Sequence, residues 1–284
     1  MQRLDFYQSL WATETRRPGV PELPVSDRFD LVKADGYDGM AIDLGALSLD
    51  AARAIVPEFH RTGLKGLLTA FPQSIEDLRP ALRLAREIDA PFVVIVGQMM
   101  PVRLEEMIEV IRAWLRIARE EGMPIQFETH RDCITNDLFT MVQLLEAIPD
   151  MRVAADLSHY VVDREMLYPI RPQYQALIGE VLARADSFQG RVASRCQVQV
   201  AIDFPQNAKW LQTFLEWWTI GLGQWRARSG PEATAVFLCE LGPPEYAITD
   251  ANGDELSDRR REALTIRRLV GERWDALSAT TAGE

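Results

Sequence analysis

Three carboxylates each end an apolar run of the length of a buried strand. The runs are Ile125-Gln126-Phe127-Glu128, Val153-Ala154-Ala155-Asp156 and Val236-Phe237-Leu238-Cys239-Glu240. An ionised carboxylate at the end of a buried strand is costly unless it is paired or ligates a cation. Three of them at equivalent positions repel one another, and a hard divalent ion relieves that repulsion. Mn²⁺ or Mg²⁺ suits an oxygen-rich set, and Zn²⁺ or Co²⁺ is admitted if an imidazole joins it. The competing arrangement gives each carboxylate its own arginine, or uses it to cap the next helix. Any one of the three taken alone fits that arrangement; the three together point to a shared metal.

Other side chains near these ends bear on the chemistry. Arg191 and Arg195 lie at or just past the seventh expected strand. One of them either neutralises the acidic cluster or fixes a substrate hydroxyl, carboxylate or phosphate through its planar fork. Arg131 and Asp132 read as a loop ion pair. Cys133 and Cys239 sit beside the presumed site and read as small buried hydrophobes. His60 has no polar company and is expected on the surface.

Positioning such residues requires a regular scaffold. The sequence predicts strands at 4–9, 39–43, 66–70, 92–96, 124–128, 152–156, 187–192 and 235–240. Most of these runs are β-branched or aromatic and bounded by Gly, Pro or charge, as buried parallel strands are. Between them lie amphipathic stretches. Residues 75–88 place Leu78, Leu82, Leu84, Ala85 and Ile88 near one helical stripe, and 104–120 do the same with Met107, Ile111, Trp114, Leu115 and Ala118. Serial βα units build either a doubly wound sheet or a closed barrel. No Gly-x-Gly-x-x-Gly follows the first strand, and polar residues collect at the C-terminal strand ends. An α/β fold of the (β/α)₈ TIM-barrel type is therefore expected, as one domain over residues 1–284.

Residues 18–24 are Pro-rich and form the expected first βα loop, and 250–258 are a polar loop before the last helix. Trp210, Trp217, Trp218 and Trp225 lie on one expected helix, packed on the barrel or on a second subunit. Exposed aromatic patches mark interfaces, so a homodimer is an expectation. Residues 278–284 are expected to fray.

Composition bounds the function. The 284 residues are 47% apolar, enough for a full core. A formal net charge of −11 argues against a nucleic-acid partner, whose affinity needs clustered Lys and Arg. The three cysteines fit neither a zinc knuckle nor a disulfide framework. Arg3, Asp5 and Gln8 interrupt any signal-peptide core, and no run approaches a transmembrane length. A cytoplasmic protein with no membrane contact is expected.

Asp156-x-x-His159 at the sixth strand end, with Glu128 on the fifth strand and Glu240 on the eighth, resembles the sugar isomerase/epimerase branch of the xylose-isomerase-like barrels. That branch includes ketose 3-epimerases, hydroxypyruvate isomerases and inosose dehydratases; endonuclease IV is a more distant relative. Gly36-Tyr37-Asp38-Gly39-Met40 resembles the branch's second-strand motif Gly-[Tyr/Phe]-Asp-Gly-[Ile/Val]-Glu. Pro243-Pro244-Glu245-Tyr246 is also similar to one bacterial branch. The resemblance implies metal ligands at Glu128, Asp156 and Glu240, with His159 contacting substrate or supporting a ligand. It implies that Glu128 and Glu240 flank a bound ketose and move a proton to and from the carbon beside its carbonyl.

The chain departs from that pattern twice. The branch's fourth ligand is a His on strand seven, where this chain offers Gln189, whose amide oxygen is a weaker ligand for a hard cation. The second-strand Glu falls on Ala41, leaving Asp43 as the nearest carboxylate. His130 shares a face with Glu128 by strand alternation, and either replaces the absent His or bonds a backbone carbonyl. The leading function is a divalent-metal-dependent isomerase or epimerase of a small sugar or hydroxy-keto acid. The alternatives are a lyase or dehydratase with His159 as acid, and a non-catalytic barrel acting as a partner subunit.

Overall fold

The computed structural model describes residues 1–281, with side chains through Ser278. Eight parallel strands, β1 (Arg3–Ser9), β2 (Gly39–Asp43), β3 (Lys65–Ala70), β4 (Val93–Ile95), β5 (Ile125–Glu128), β6 (Val153–Ala155), β7 (Ala185–Gly190) and β8 (Thr234–Cys239), close in sequence order into a barrel. The seam is the β1–β8 pairing, which runs from Arg3 opposite Thr234 to Gln8 opposite Cys239. Around it lie α1 (Val25–Ala34), α2 (Leu49–Thr62), α3 (Leu78–Glu87), α4 (Leu104–Glu121), α5 (Leu138–Ala147), α6 (Leu157–Asp163), α7 (Pro172–Leu182), α8 (Ala208–Arg228) and α9 (Arg259–Thr281).

Strand alternation divides the core in two. Tyr7, Ala41, Leu67, Val94, Ala154, Val236 and Leu238 point into the barrel and cluster there. Phe6, Leu68, Val93, Phe127, Phe188 and Phe237 face outward and join the larger cluster beneath the helices. The barrel interior is a packed core, as in other barrels of this size. It includes one polar contact, where Ser187 Oγ donates to Gln126 Oε1 at 2.6 Å.

Local chemistry sets the helix ends. Ser48 accepts from Ala51 N to start α2, which stops at Gly63 in the left-handed region (φ 67°). Asp137 caps α5 through Thr140 N, and Asp156 caps α6 through Ser158 N. The helix expected at 75–88 begins only at Leu78, because Ile75 lies in the turn before it. Strand seven begins and ends two residues earlier than expected, leaving Arg191 just past it.

The tryptophans of α8 are all buried within the chain, none more than 5% exposed. Trp217 and Trp218 pack edge-on to Phe214, and Trp218 meets Phe237 of β8. The four rings pack within the chain and form no exposed aromatic patch on α8. Of the tail expected at 278–284, residues through Thr281 continue α9, and 282–284 lie outside the described residues. Among the described residues, no helix is long and apolar enough to cross a membrane.

Arg259, at the start of α9, bolts the seam at its C-terminal rim. Its Nη1 donates to Ala12 O (2.6 Å) and Leu241 O (2.9 Å), and its Nη2 to Glu14 O (2.7 Å). Glu255 holds the guanidinium from the other side.

Candidate active site

The alternation that sends Gln126, Ala154, Ser187 and Leu238 inward also sends Glu128, Asp156, Gln189 and Glu240 inward, one layer nearer the C-terminal rim. All four are at most 7% exposed. One oxygen from each of the three carboxylates lies within 4.8 Å of the others. Asp156 spends Oδ1 on the start of α6, accepting from Ser158 N at 2.9 Å and from Ser158 Oγ. Asp156 Oδ2, Gln189 Oε1 and Glu240 Oε2 are buried with no hydrogen-bond donor.

The expected alternative, one arginine per carboxylate, is not found. Arg191 alone serves the cluster, with Nη1 3.3 Å from Asp156 Oδ2 and Nη2 3.2 Å from Glu240 Oε2. These contacts are ionic and not aligned as hydrogen bonds, so the two oxygens stay without donors. Arg191 Nε donates to Glu240 O at 3.0 Å. Arg191 neutralises the carboxylates and also lines the cavity above them.

One guanidinium does not balance three carboxylates. Burial, then the charges of Glu240 and Asp156, pushes the Glu128 carboxyl well above the ordinary range. Burial raises Glu240 to about 8, against the pull of Arg191. Burial also works against Asp156, yet His159, Arg191 and the bond from Ser158 hold it below the ordinary carboxylate range. Burial lowers both histidines, His159 although Asp156 opposes, and His130 to about 3.

The orphaned oxygens are those a hard cation requires. Glu128, Asp156, Gln189 and Glu240 present an all-oxygen set, the donor type that holds Mg²⁺ or Mn²⁺. The Gln189 amide lies beside Glu128 and keeps its oxygen free. The donors fit the ion.

Above this layer is a cavity of about 230 Å³, walled by Trp11, Arg16, Asp43, Phe71, His130 and Tyr246 among others. The ring of Tyr246 carries the Arg191 guanidinium at 4.8 Å and the Arg131 guanidinium at 5.3 Å, and packs edge-on against Trp11. Arg131 Nη2 donates to Tyr246 Oη at 3.2 Å, so Arg131 turns to the aromatic roof and away from the expected pair with Asp132. Ala41 faces the barrel interior, and Asp43, at the end of β2, lines the cavity with Oδ1 accepting from Gly45 N at 2.6 Å. His130 also lines the cavity, and its Nδ1 bonds Arg131 O, as one of its two expected readings had it. His159 is fully buried, with its ring 4.1 Å from that of His130.

The structure does not bring Arg195 to this group. It is exposed on the loop after β7 and pairs with Glu165 at 2.6 Å. Cys133 and Cys239 are buried as expected, and His60 is exposed at the end of α2. Sequence reasoning missed Trp11, Arg16 and Phe71 as wall residues. They come from loops and carry no period; the only available signal was their place after strands β1 and β3.

Comparison with known proteins agrees with this architecture. The family model described as a xylose isomerase-like TIM barrel matches residues 29–195. Among solved structures, a xylose isomerase-like TIM barrel protein from Mycobacterium smegmatis in complex with magnesium is 15% identical. The match covers 95% of this chain and 98% of that one, with a TM-score of 0.60. An L-ribulose 3-epimerase is 13% identical over 99% of this chain and 97% of its own, also with a TM-score of 0.60. A D-allulose 3-epimerase from Methylomonas sp. is 13% identical over 96% and 99%, with a TM-score of 0.60. No curated protein sequence matches the chain. A closed eight-stranded barrel, and a family model that spans more than half of the sequence, place the chain in the xylose isomerase-like TIM barrel family.

Proposed function

We propose that this barrel is a divalent-metal-dependent isomerase or epimerase acting on a small sugar or hydroxy-keto acid. The observation that carries the reading is the excess of buried carboxylate over cation at the mouth, with its oxygens left bare. Glu128, Asp156, Gln189 and Glu240 would hold a divalent ion, which would supply Lewis acidity toward a substrate carbonyl. The protein's own part is proton transfer. Glu128, as carboxylate, takes the proton from the carbon beside the carbonyl, and the C–H electron pair becomes the enediolate double bond. Glu240, as acid, returns a proton to the other face or to the neighbouring carbon. Groups that both give and take protons near neutrality work best with pKa values near the working pH, and burial moves both glutamates in that direction.

The cavity of about 230 Å³ has room for a small sugar or hydroxy-keto acid. Trp11 and Tyr246 give one wall an aromatic face against which a sugar ring or chain packs.

The test is deuterium exchange. L-ribulose, D-allulose and hydroxypyruvate, incubated in D₂O with the Mn²⁺-loaded protein, are followed by NMR. One deuterium should enter at the carbon next to the carbonyl, with substrate mass otherwise conserved. Exchange that persists after exhaustive chelation would overturn the reading, and loss of water from the product would make the enzyme a lyase.

A further inference from the structure

The mouth contains a second set of donors that the all-oxygen set does not use. Glu128, His130 and His159 each offer an atom within 4.8 Å of the other two. Only Glu128 belongs to both groups.

One imidazole, His130, is oriented as metal-bound histidines usually are, and the other has a nitrogen without a partner. Such a ring normally donates its far N–H to a carboxylate or a backbone carbonyl, which fixes the tautomer and frees the near lone pair. His130 Nδ1 is bonded to the carbonyl of Arg131, which leaves Nε2 free. His159 Nε2 lies 3.4 Å from Asp156 Oδ2. Its Nδ1 is fully buried and has no hydrogen-bond partner. Arg191 Nη1 also approaches His159 Nε2, at 3.3 Å, so the carboxylate and the guanidinium compete for that nitrogen. An ion on Nδ1 selects the tautomer that gives the Nε2 proton to Asp156.

We infer that Glu128, His130 and His159 form a separate binding position for a borderline-soft divalent cation, Zn²⁺ being the expected occupant. A set of two imidazoles and one carboxylate matches the donors of three-ligand zinc sites, which leave a fourth position open. The all-oxygen set next to it selects harder ions. Mouth chemistry therefore depends on which cation arrives, because a Zn²⁺ ion here engages the carboxylate that the proposed reaction uses as its base.

The inference does not require the isomerase reading, and two variants separate them. Mn²⁺ and Zn²⁺ binding to metal-stripped protein are measured by titration calorimetry for the wild type, Glu240→Gln and His130→Ala. Cooperative melting of each variant is checked first. Glu240→Gln is expected to lose at least about tenfold in Mn²⁺ affinity and to keep Zn²⁺ binding within about threefold. His130→Ala is expected to do the reverse. If one variant cannot be folded, the other decides, since each predicts a different ion's loss. Zn²⁺ lost with Mn²⁺ in Glu240→Gln, or retained in His130→Ala, would overturn the second position. Failure of the wild type to bind Mn²⁺ would count against the proposed function and leave the Zn²⁺ outcome to stand by itself.

Discussion

Glu121 and Glu128 lie seven residues apart, and their surroundings are opposite. Glu121, at the end of α4, receives Arg79, Arg83 and Arg86 at 3.0–3.5 Å. Hydrogen bonds from Arg83 and Arg86 lead in pushing its carboxyl down to about 2. Glu128 has no arginine of its own and shares the field of Arg191 with Asp156 and Glu240, and its carboxyl is driven up. On the outside of the barrel, Arg79 also pairs with Glu76 and Glu120, so three arginines meet three glutamates and tie α3 to α4. At the mouth, surplus anions surround one cation and leave oxygens bare. That imbalance is built in low dielectric, where an uncompensated charge is costly. A costly imbalance held by four strand ends points to a ligand.

Four experiments press on this contrast. The largest effect is expected from Glu128→Gln, which should lower solvent deuterium exchange by about 10²–10⁴ fold, the usual worth of a positioned acid–base group. Glu121→Gln should leave exchange unchanged. Next is Arg191→Met, which strips the buried carboxylates of their counter-ion. Breaking a buried ion pair costs about 3–5 kcal/mol, so melting of the metal-free protein should fall sharply, and added Mn²⁺ should recover much of the loss. Equal stability of this variant and the wild type without metal would deny that Arg191 carries the charge balance.

The third concerns pH. Burial raises Glu240 from 4.5 to about 8, so the fold favours its protonated form. The stability this gives is complete below about 4.5 and is lost as pH climbs through about 8, at up to roughly 1.4 kcal/mol per pH unit. Calorimetry of the metal-free protein across that window should show the decline, and Mn²⁺, which binds the carboxylate form, should flatten it. A rising stability with pH would reverse the sign. Smallest is Glu121→Gln read as stability: its partners Arg83 and Arg86 are solvent-exposed, and pairs with such groups contribute little, so its melting temperature should move by at most about 3 °C.

Much of the fold was legible because buried parallel strands are continuous apolar runs and each ends at punctuation. Glu128, Asp156 and Glu240 were legible for the same reason: each occupies the inward parity at the end of such a run. Gln189 was reachable only through a family pattern, since a glutamine at a strand end carries no electrostatic signal of its own. Arg191 and Arg195 could not be separated by pattern. Two residues' difference in where β7 ends puts one beside the carboxylates and the other in the turn closed by the Ser194–Gln197 bridge, facing solvent. The α8 tryptophans show a related blindness: an aromatic helix face looks the same whether it covers its own barrel or a neighbour's. Tyr246 was visible only as part of a motif, because its role depends on three loops meeting.

The Arg259 bolt has a bearing on how the molecule is made. A ribosome releases Trp11 and its loop first, and the guanidinium that pins Ala12 and Glu14 to Leu241 arrives some 250 residues later. The rim of the mouth is therefore finished last, once the final helix is free to dock, and a nascent chain carries all its strands before it carries a complete pocket.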